Sequence, residues 1–422
     1  MRILFIVNHF YPELGAIRTE YEIARKLAGH HELLVVTTFP RVYRLPKGFR
    51  YNIPKFRIAV LEQYGRLRVL RIKSFLSSFE ELKQRITELI SSLKALLIVS
   101  FFLAPFYDIL LVAGDIELLV AQIGILLKLI WRKPVVVILH DIHPDVLMRT
   151  GVLKKGLVFK LFELLIRLFA RYVDTVIVHS YSNAIMLAKR YKMSMNKIRV
   201  VELWANVEDL ERIAQSLNIV KLRQEFVPEE EKFIISFAGI MNPPQGLDVV
   251  IHTARCIKEK YPSIASKIVF LLVGEGMEKA RLIKLAKELE VGDMVKFFPL
   301  QPRDRYIGIL LFSDVCLVTL KRDYVQPVVP SKLFEIMAAG CPALLSMPPI
   351  SDAVKIVMKY DCGIYAGNGD PEALAKAIVM LFKHRHLLHL LGKNGREAVV
   401  KYFNLARAVN QYEKILRSVC GA

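Results

Sequence analysis

The chain is poor in residues that build covalent or metal-held frameworks. Five of its 422 residues are cysteine (Cys256, Cys316, Cys341, Cys362 and Cys420). All lie in the second half, with no Cys-x-x-Cys pair and no histidine cluster at metal spacing, so neither a disulfide framework nor a structural zinc is indicated. The charge-free runs at residues 95–107 and 338–351 fall short of the roughly 18 apolar residues that cross a bilayer, and no spanning helix is expected. The opening Met1-Arg-Ile-Leu-Phe-Ile-Val-Asn8 has too short an apolar run for a secretory signal and no small-residue cleavage site behind it. It reads as a buried first strand of a protein that stays in the cytoplasm. Repeats at solenoid spacing, low-complexity segments and a full Gly-x-Gly-x-x-Gly fingerprint are also missing.

Acidic residues are scarce as well, and unevenly so. The formal net charge is +20, and residues 1–200 hold 31 Lys/Arg against 15 Asp/Glu, whereas the remainder is nearly balanced. Within residues 41–73, Arg41, Arg44, Lys47, Arg50, Lys55, Arg57, Arg66, Arg68, Arg71 and Lys73 face the single acid Glu62. Such density attracts nucleic acid, anionic lipid headgroups or a phosphate-bearing substrate. No recognised nucleic-acid motif accompanies it, and no nucleic-acid partner is expected.

What is abundant is apolar material: 54% of residues are hydrophobic, enough for packed cores and incompatible with a disordered chain. Short apolar runs alternate with helical periodicity almost throughout, the pattern of βα units around parallel sheets. The first series predicts strands at 3–7, 33–37, 68–72, 109–112, 135–139, 175–178 and 198–201, with helices at 16–28, 75–98, 117–130, 155–171 and 182–191. Around 207–231 the pattern loosens into a polar, acidic stretch. A second series then predicts strands at 233–238, 268–273, 294–298, 315–318, 342–346 and 363–365, with helices at 247–259, 278–289, 303–311, 331–339 and 371–383. The reading is two α/β domains, 1–205 and 206–403, with a cleft between them, and a final helix over 404–422 that packs back on the first.

In open α/β sheets ligands sit beyond the carboxyl ends of the strands, so the loops there carry the search. After the first strand, Gly15 precedes a helix and either lets a ligand approach backbone amides or only makes the turn, and Arg18 is either a solvated helix residue or reaches into the cleft. The strand 135–139 ends in His140-Asp-Ile-His-Pro-Asp145, an imidazole and a carboxylate at a ligand-binding edge, although Asp141 also suits a turn cap and His143 precedes Pro144. Residues 328–342 read as loop, helix and strand. Pro330 and Ser331 suit the helix start, so amides near Val329 to Lys332 face the strand ends and favour a phosphate. Glu335, one turn in, has two acceptor oxygens suited to a ribose, or else is a surface residue of a short helix together with Lys332.

These segments together resemble glycosyltransferase family 4. Pro-Ser-Lys-x-x-Glu-x-x-Ala-Ala-Gly-x-Pro, from Pro330 to Pro342, carries the likeness. With it go Val273-Gly-Glu-Gly276, Ser313-Asp-Val315, Asp361-Cys-Gly363, Gly369-Asp-Pro-Glu-Ala-Leu-Ala375, the Tyr11-Pro-Glu-Leu-Gly-Ala loop and His140-Asp-Ile-His-Pro. The nearest branch is that of colanic acid and O-antigen sugar transferases. The resemblance implies a GT-B fold of two Rossmann-like domains with parallel sheets facing a central cleft, retaining stereochemistry, no cofactor and no catalytic metal. The partners it implies are a nucleotide-diphosphate sugar donor and a glycan or lipid-linked acceptor. It places Glu335 on the ribose, Ser331 and Lys332 near the diphosphate with Gly15, Gly239, Gln245, Val329 and Pro330 around the donor, Gln301 near the base, and His140 with Asp141 near the transferred sugar. Front-face transfer, in which the donor's own β-phosphate helps take the acceptor proton, then needs no protein nucleophile.

The chain departs from the family pattern. Pro327 stands where many members have a glutamate, eight positions before Glu335, and Ile240 and Gln245 stand where an Arg and a Lys often grip the diphosphate. A non-catalytic glycan-binding or scaffold protein, or a sugar-nucleotide epimerase, would use the same fold. Residues 75–107, 118–131 and 156–173 are unusually apolar, the last interrupted by Lys160, Arg167 and Arg171. With Arg41, Arg44, Arg66 and Arg68 they point to peripheral attachment to the anionic inner face of the cell membrane.

Overall fold

The structure is a computed structural model that describes residues 1–13, 17–40, 51, 57–74, 82–113, 117–140, 142, 156–324 and 329–421. Gly15, Arg41, Arg44, Asp141 and Pro327 lie outside the described residues. The chain divides into two units, one formed by Met1–Glu202 with Leu405–Ala422 and the other by Leu203–Asn404.

The first unit is built on strands β1 (Arg2–Val7), β2 (Glu32–Thr38), β3 (Ala59–Tyr64), β4 (Leu67–Ile72), β5 (Ile109–Ala113), β6 (Val135–Leu139), β7 (Thr175–Val178) and β8 (Ile198–Val200). They form one sheet in the order β3-β4-β2-β1-β5-β6-β7-β8, parallel except for the antiparallel β3–β4 pair. β5 and β6 are buried at every position, as strands covered on both faces must be. The helices Ile17–Leu27, Leu82–Leu103, Glu117–Trp131, Leu157–Tyr172 and Tyr181–Tyr191 supply that cover, and the C-terminal helix Leu405–Cys420 packs against Ile17–Leu27 and β6.

The second unit is a fully parallel six-stranded sheet of β9 (Phe233–Ala238), β10 (Ile268–Val273), β11 (Val295–Phe298), β12 (Val315–Thr319), β13 (Ala343–Ser346) and β14 (Gly363–Tyr365). Its order is β11-β10-β9-β12-β13-β14, the doubly wound arrangement whose chain direction reverses beside β9. Both sheets share one device at their amino edge. Asp108, Asp174 and Asp314 each stand just before a strand and accept the backbone amide of a residue at the start of the neighbouring strand: Arg2 at 2.8 Å, Val135 at 2.8 Å and Ile234 at 2.7 Å. These bonds satisfy otherwise orphaned amides and fix where each pair of strands begins. The amide of Arg2 holds the Asp108 carboxyl below its ordinary range, whereas burial raises that of Asp314.

The structure corrects several expectations. The stretch after residue 206 is not loose: helices Val207–Ser216 and Ile219–Phe226 occupy it, each begun by an asparagine whose side chain accepts an amide three residues on, Asn206 from Asp209 and Asn218 from Lys221. β3 and the helices Asp352–Tyr360 and His386–Tyr402 are further elements the periodicity did not give. The charge-free runs overlooked one helix: Thr87–Phe106 is long and apolar enough to cross a membrane, by length and composition alone. The charge-free criterion stopped at Lys94, whereas a helix of that length tolerates Glu88 and Lys94 together. Its inner face belongs to the first unit's core through the fully buried Leu96, while Ile98 and Phe102 are exposed.

The basic run is corrected as well. Arg71 in β4 is fully buried, 2.7 Å from the Glu62 carboxylate, and it donates to the backbone carbonyls of Thr38 and Tyr11. It is therefore a structural cation and not part of an anion-attracting surface. Arg66 donates to the Gly29 carbonyl at 3.0 Å and Arg68 to the Glu32 carboxylate at 2.7 Å.

Candidate active site

In the first unit the chemistry gathers where β1, β6 and β7 end. His140 follows β6 directly and His179 follows β7, its neighbour in the sheet, so the two imidazoles meet. His179 sits between the last residue of the strand and Ser180, which caps the next helix by accepting the Asn183 amide at 3.1 Å. Its Nε2 is 2.9 Å from His140 Nδ1 and its Nδ1 is 2.9 Å from the Val201 carbonyl oxygen. On the other side His140 Nε2 lies 2.7 Å from Glu20 Oε1, and Thr19 donates to Glu20 Oε2 at 3.0 Å. Glu20 and His179 are buried. Burial first, then the neighbouring His140, pushes His179 down to about 3, so this ring is neutral at physiological pH.

Tyr412 of the C-terminal helix completes the surroundings. Burial raises its phenol far above the ordinary range and the Glu20 charge adds to the shift. Arg18 lies on the same helix as Glu20 and donates to Glu22 at 2.8 Å, so in this chain it already has a carboxylate partner.

In the second unit the loops after β9 and β10 meet backbone to backbone. A side chain at Gly274 would run into the Gly239 carbonyl at 1.8 Å, so a glycine is required there. Gly239 has φ +149, and a Cβ on it would fall 2.9 Å from Lys332 Nζ. The bare α-carbon of Gly239 and the Lys332 amine thus line the same spot. The stem of Lys332 is partly exposed, but its amine is buried and makes no hydrogen bond among the described residues. Burial pushes it down to about 7.

Lys332 opens the short helix Lys332–Ala338, with Ser331 ahead of it. Ser331 makes no side-chain capping bond; instead the amides of Leu333 and Phe334 turn back to the carbonyls of Pro330 and Ser331 at 3.0 and 3.2 Å. Gly340, in the left-handed region at φ +69, ends the helix, with the Cys341 amide returning to the Ile336 carbonyl at 3.2 Å. Val329 packs on the core beneath.

Glu335 faces the helix Arg303–Phe312. Arg303 Nη1 lies 2.6 Å from Glu335 Oε1, and burial, reinforced by the Glu335 charge, raises the Tyr306 phenol well above its ordinary range. Gln301, just before that helix, accepts from Arg305 Nε at 3.0 Å and donates to the Pro299 carbonyl at 2.9 Å. One helix therefore holds both Gln301 and Glu335. Gln245 ends the 3-10 turn Pro243–Gln245, its amide bonded to the Asn242 carbonyl at 3.0 Å.

Of the residues singled out in the sequence, the structure brings together Gly239 with Lys332, and links Gln301 and Glu335 through one helix. Glu20, His179, Arg303 and Tyr306 were missed. Glu20 lies in the first turn of the helix after β1 and His179 follows β7, and only the adjacency of β6 and β7 and the placement of that helix bring them to His140. Among the described residues no group of three or more His, Cys, Asp or Glu side chains is placed to hold a metal ion.

Two Rossmann-like parallel α/β units in one chain define the GT-B glycosyltransferase fold, and solved structures of that fold match along the full length. HepE from Anabaena, crystallised in complex with UDP, aligns with a TM-score of 0.71 at 17% identity, covering 99% of this chain and 100% of that one. Sucrose-phosphate synthase from Thermosynechococcus elongatus aligns with a TM-score of 0.74 at 17% identity over 99% of both chains. Residues 218–398 match the family described as Glycosyl transferases group 1, and the second unit carries a domain of that family. In Escherichia coli K12 the putative colanic acid biosynthesis glycosyl transferase WcaI is 28% identical over 364 residues, spanning 82% of this chain and 83% of that protein.

Proposed function

We propose that the chain is a retaining, metal-independent glycosyltransferase that moves a sugar from a nucleoside diphosphate sugar to a lipid-linked or other glycan acceptor in cell-surface polysaccharide or glycolipid synthesis. The observation that carries this reading is Lys332: a buried amine without a hydrogen-bond partner among the described residues, beside a glycine that leaves space for a ligand. A buried donor left unmet is costly, and a diphosphate oxygen there would satisfy it. HepE, of the same fold, holds UDP and UDP-glucose in crystals, and WcaI bears a name from polysaccharide synthesis.

On this reading Lys332 stabilises the departing diphosphate, Glu335 accepts from the ribose once Arg303 yields, Gln301 lies by the base, and His140 contacts the transferred sugar. Gln245, Val329, Pro330 and Ser331 complete the donor surroundings in the second unit. No protein nucleophile is called for.

The same proposal places the enzyme at the inner face of the cell membrane. The helix Leu157–Tyr172 exposes Leu157, Leu161, Leu164 and Leu168 in one stripe beside Lys160, Arg167 and Arg171, the make-up of an interfacial helix. The helix Glu117–Trp131, which packs against it, exposes Leu126, Leu129 and Ile130. Arg41, Arg44, Arg66 and Arg68 add positive charge to the same unit.

The test is a metal-free thermal-shift titration with UDP, GDP, TDP, ADP and CMP. A selective diphosphate response that Glu335→Ala abolishes supports the donor site. A flat response to all five favours the non-catalytic reading, which rests on Ile240 and Gln245 standing where the family often has cations.

A further inference from the structure

Glu20, His140 and His179 form a line that ends on a backbone carbonyl, and its polarity follows from that fixed end. The Val201 carbonyl oxygen only accepts, so His179 Nδ1, 2.9 Å away, carries a hydrogen. The ring is fully buried and neutral, which leaves Nε2 as a lone pair. That lone pair meets His140 Nδ1 at 2.9 Å, and His140 must therefore donate from Nδ1. The two rings lie within 26° of parallel with centroids 4.8 Å apart. His140 Nε2 then faces Glu20 Oε1 at 2.7 Å, a distance at which two lone pairs repel and one proton is held between them.

We propose that His179 is a positioning residue for His140: it pins a proton on His140 Nδ1, so that the Glu20–His140 pair keeps a further proton and His140 presents an N–H, not a lone pair, at Nε2. His140 is then not a general base, since its Nε2 proton is held against Glu20 Oε1. What His140 does in transfer rests on the glycosyltransferase reading; the protonation of the rings does not.

Two titratable groups that face the pair are His179 after β7 and Tyr412 on the C-terminal helix. Tyr412 stays protonated because burial and the Glu20 charge raise it far above physiological pH. It adds no charge that would compete for the proton. Without His179 the neutral His140 tautomer with its proton on Nε2 becomes available, since the His179 lone pair no longer demands a hydrogen at Nδ1. Removing His179 therefore lowers the pH at which the pair gives up its proton.

The experiment is two-bond proton–nitrogen spectroscopy of histidine-labelled full-length protein across about pH 5 to 10, with His140 assigned by its loss in His140→Gln. In the unaltered protein both His140 nitrogens are expected to be protonated well above neutral pH. His179→Phe should lower the titration by at least about one pH unit, while His179→Gln, whose amide can donate to Val201 and accept from His140, should retain it. Melting curves check that each variant folds; should His179→Phe fail to fold, an Nε2 of His140 that is a bare lone pair at neutral pH in the unaltered protein overturns the proposal on its own. So does an unshifted titration in a folded His179→Phe. Turnover of UDP-glucose, or of the diphosphate sugar the melting screen selects, separates the two readings. Spectra as expected with unchanged turnover in His140→Gln leave the relay standing and remove His140 from catalysis. With the relay and the catalytic role both correct, turnover falls at high pH, and falls earlier in His179→Phe.

Discussion

The Lys332 amine lies 3.8 Å from the centroid of the Phe237 ring, at the carboxyl end of β9. The ring face offers partial compensation for a buried charge but no hydrogen bond. The folded protein therefore holds Lys332 at about 7 against 10.5 when unfolded, which makes ligand binding a proton-uptake event. Between these values the unfolded chain binds more protons than the folded one, so ligand-free stability rises with pH across that window. A bound diphosphate restores the charge. Calorimetry with UDP in buffers of different ionisation enthalpy should show uptake approaching one proton at about pH 8, and affinity should fall by up to about tenfold per pH unit above neutrality. In Lys332→Met the uptake and most of the affinity should vanish. Equal proton uptake in that variant would assign the effect to another group.

Arg303 and Glu335 are coupled at 2.6 Å, so their variants should not behave alike. On the donor-site proposal, in which Glu335 accepts from the ribose, Glu335→Gln is expected to weaken nucleotide binding by about tenfold or more. Arg303→Ala frees the carboxylate but unfixes it, and should cost less. Isothermal titration of both variants and of the double variant checks this, with a non-additive double variant expected of neighbours in contact.

The exposed stripe of the helix Leu157–Tyr172 can be altered without touching a core. Leu161→Glu with Leu164→Glu should leave the melting temperature nearly unchanged while weakening sedimentation with anionic liposomes by about tenfold or more. Unaltered sedimentation would remove this helix from the membrane reading. Raising the salt should weaken the remaining attachment, since Lys160, Arg167 and Arg171 act through screened charge.

Arg71 is the buried cation of the first unit, and its removal strands the Glu62 carboxylate with Tyr51 and Tyr64. Arg71→Ala is expected to lower stability by about 3–5 kcal/mol in urea titration. Arg71→Met with Glu62→Leu should recover part of that loss, because it removes both charges and leaves neither alone.

Both sheets were legible because their strands are buried on two faces and so appear as continuous apolar runs: Ile109–Ala113 and Val135–Leu139 carry no polar residue. β3 was not, because Ala59–Tyr64 is an edge strand whose residues alternate between exposed and half-buried and include Glu62 and Gln63. The helices from Val207 and Ile219 did have a local signal, an asparagine followed at three residues by its amide partner, but acidic composition hid it. In the candidate site, Glu335, Lys332 and His140 stood out through residue type at a strand end. Glu20 and His179 did not, since what makes them relevant is the adjacency of β6 and β7 and the placement of the first helix, which no spacing in the sequence states.

The C-terminal helix brings Tyr412 beside Glu20 and Glu413 to 2.6 Å from His30, against a helix synthesised nearly four hundred residues earlier. During translation the whole of the second unit emerges between these partners, with both its ends available to close on each other through the Ala205–Asn404 bridge. The second unit is thus one contiguous segment that closes on itself, whereas the first, though made earlier, is completed only once the helix Leu405–Cys420 has been made.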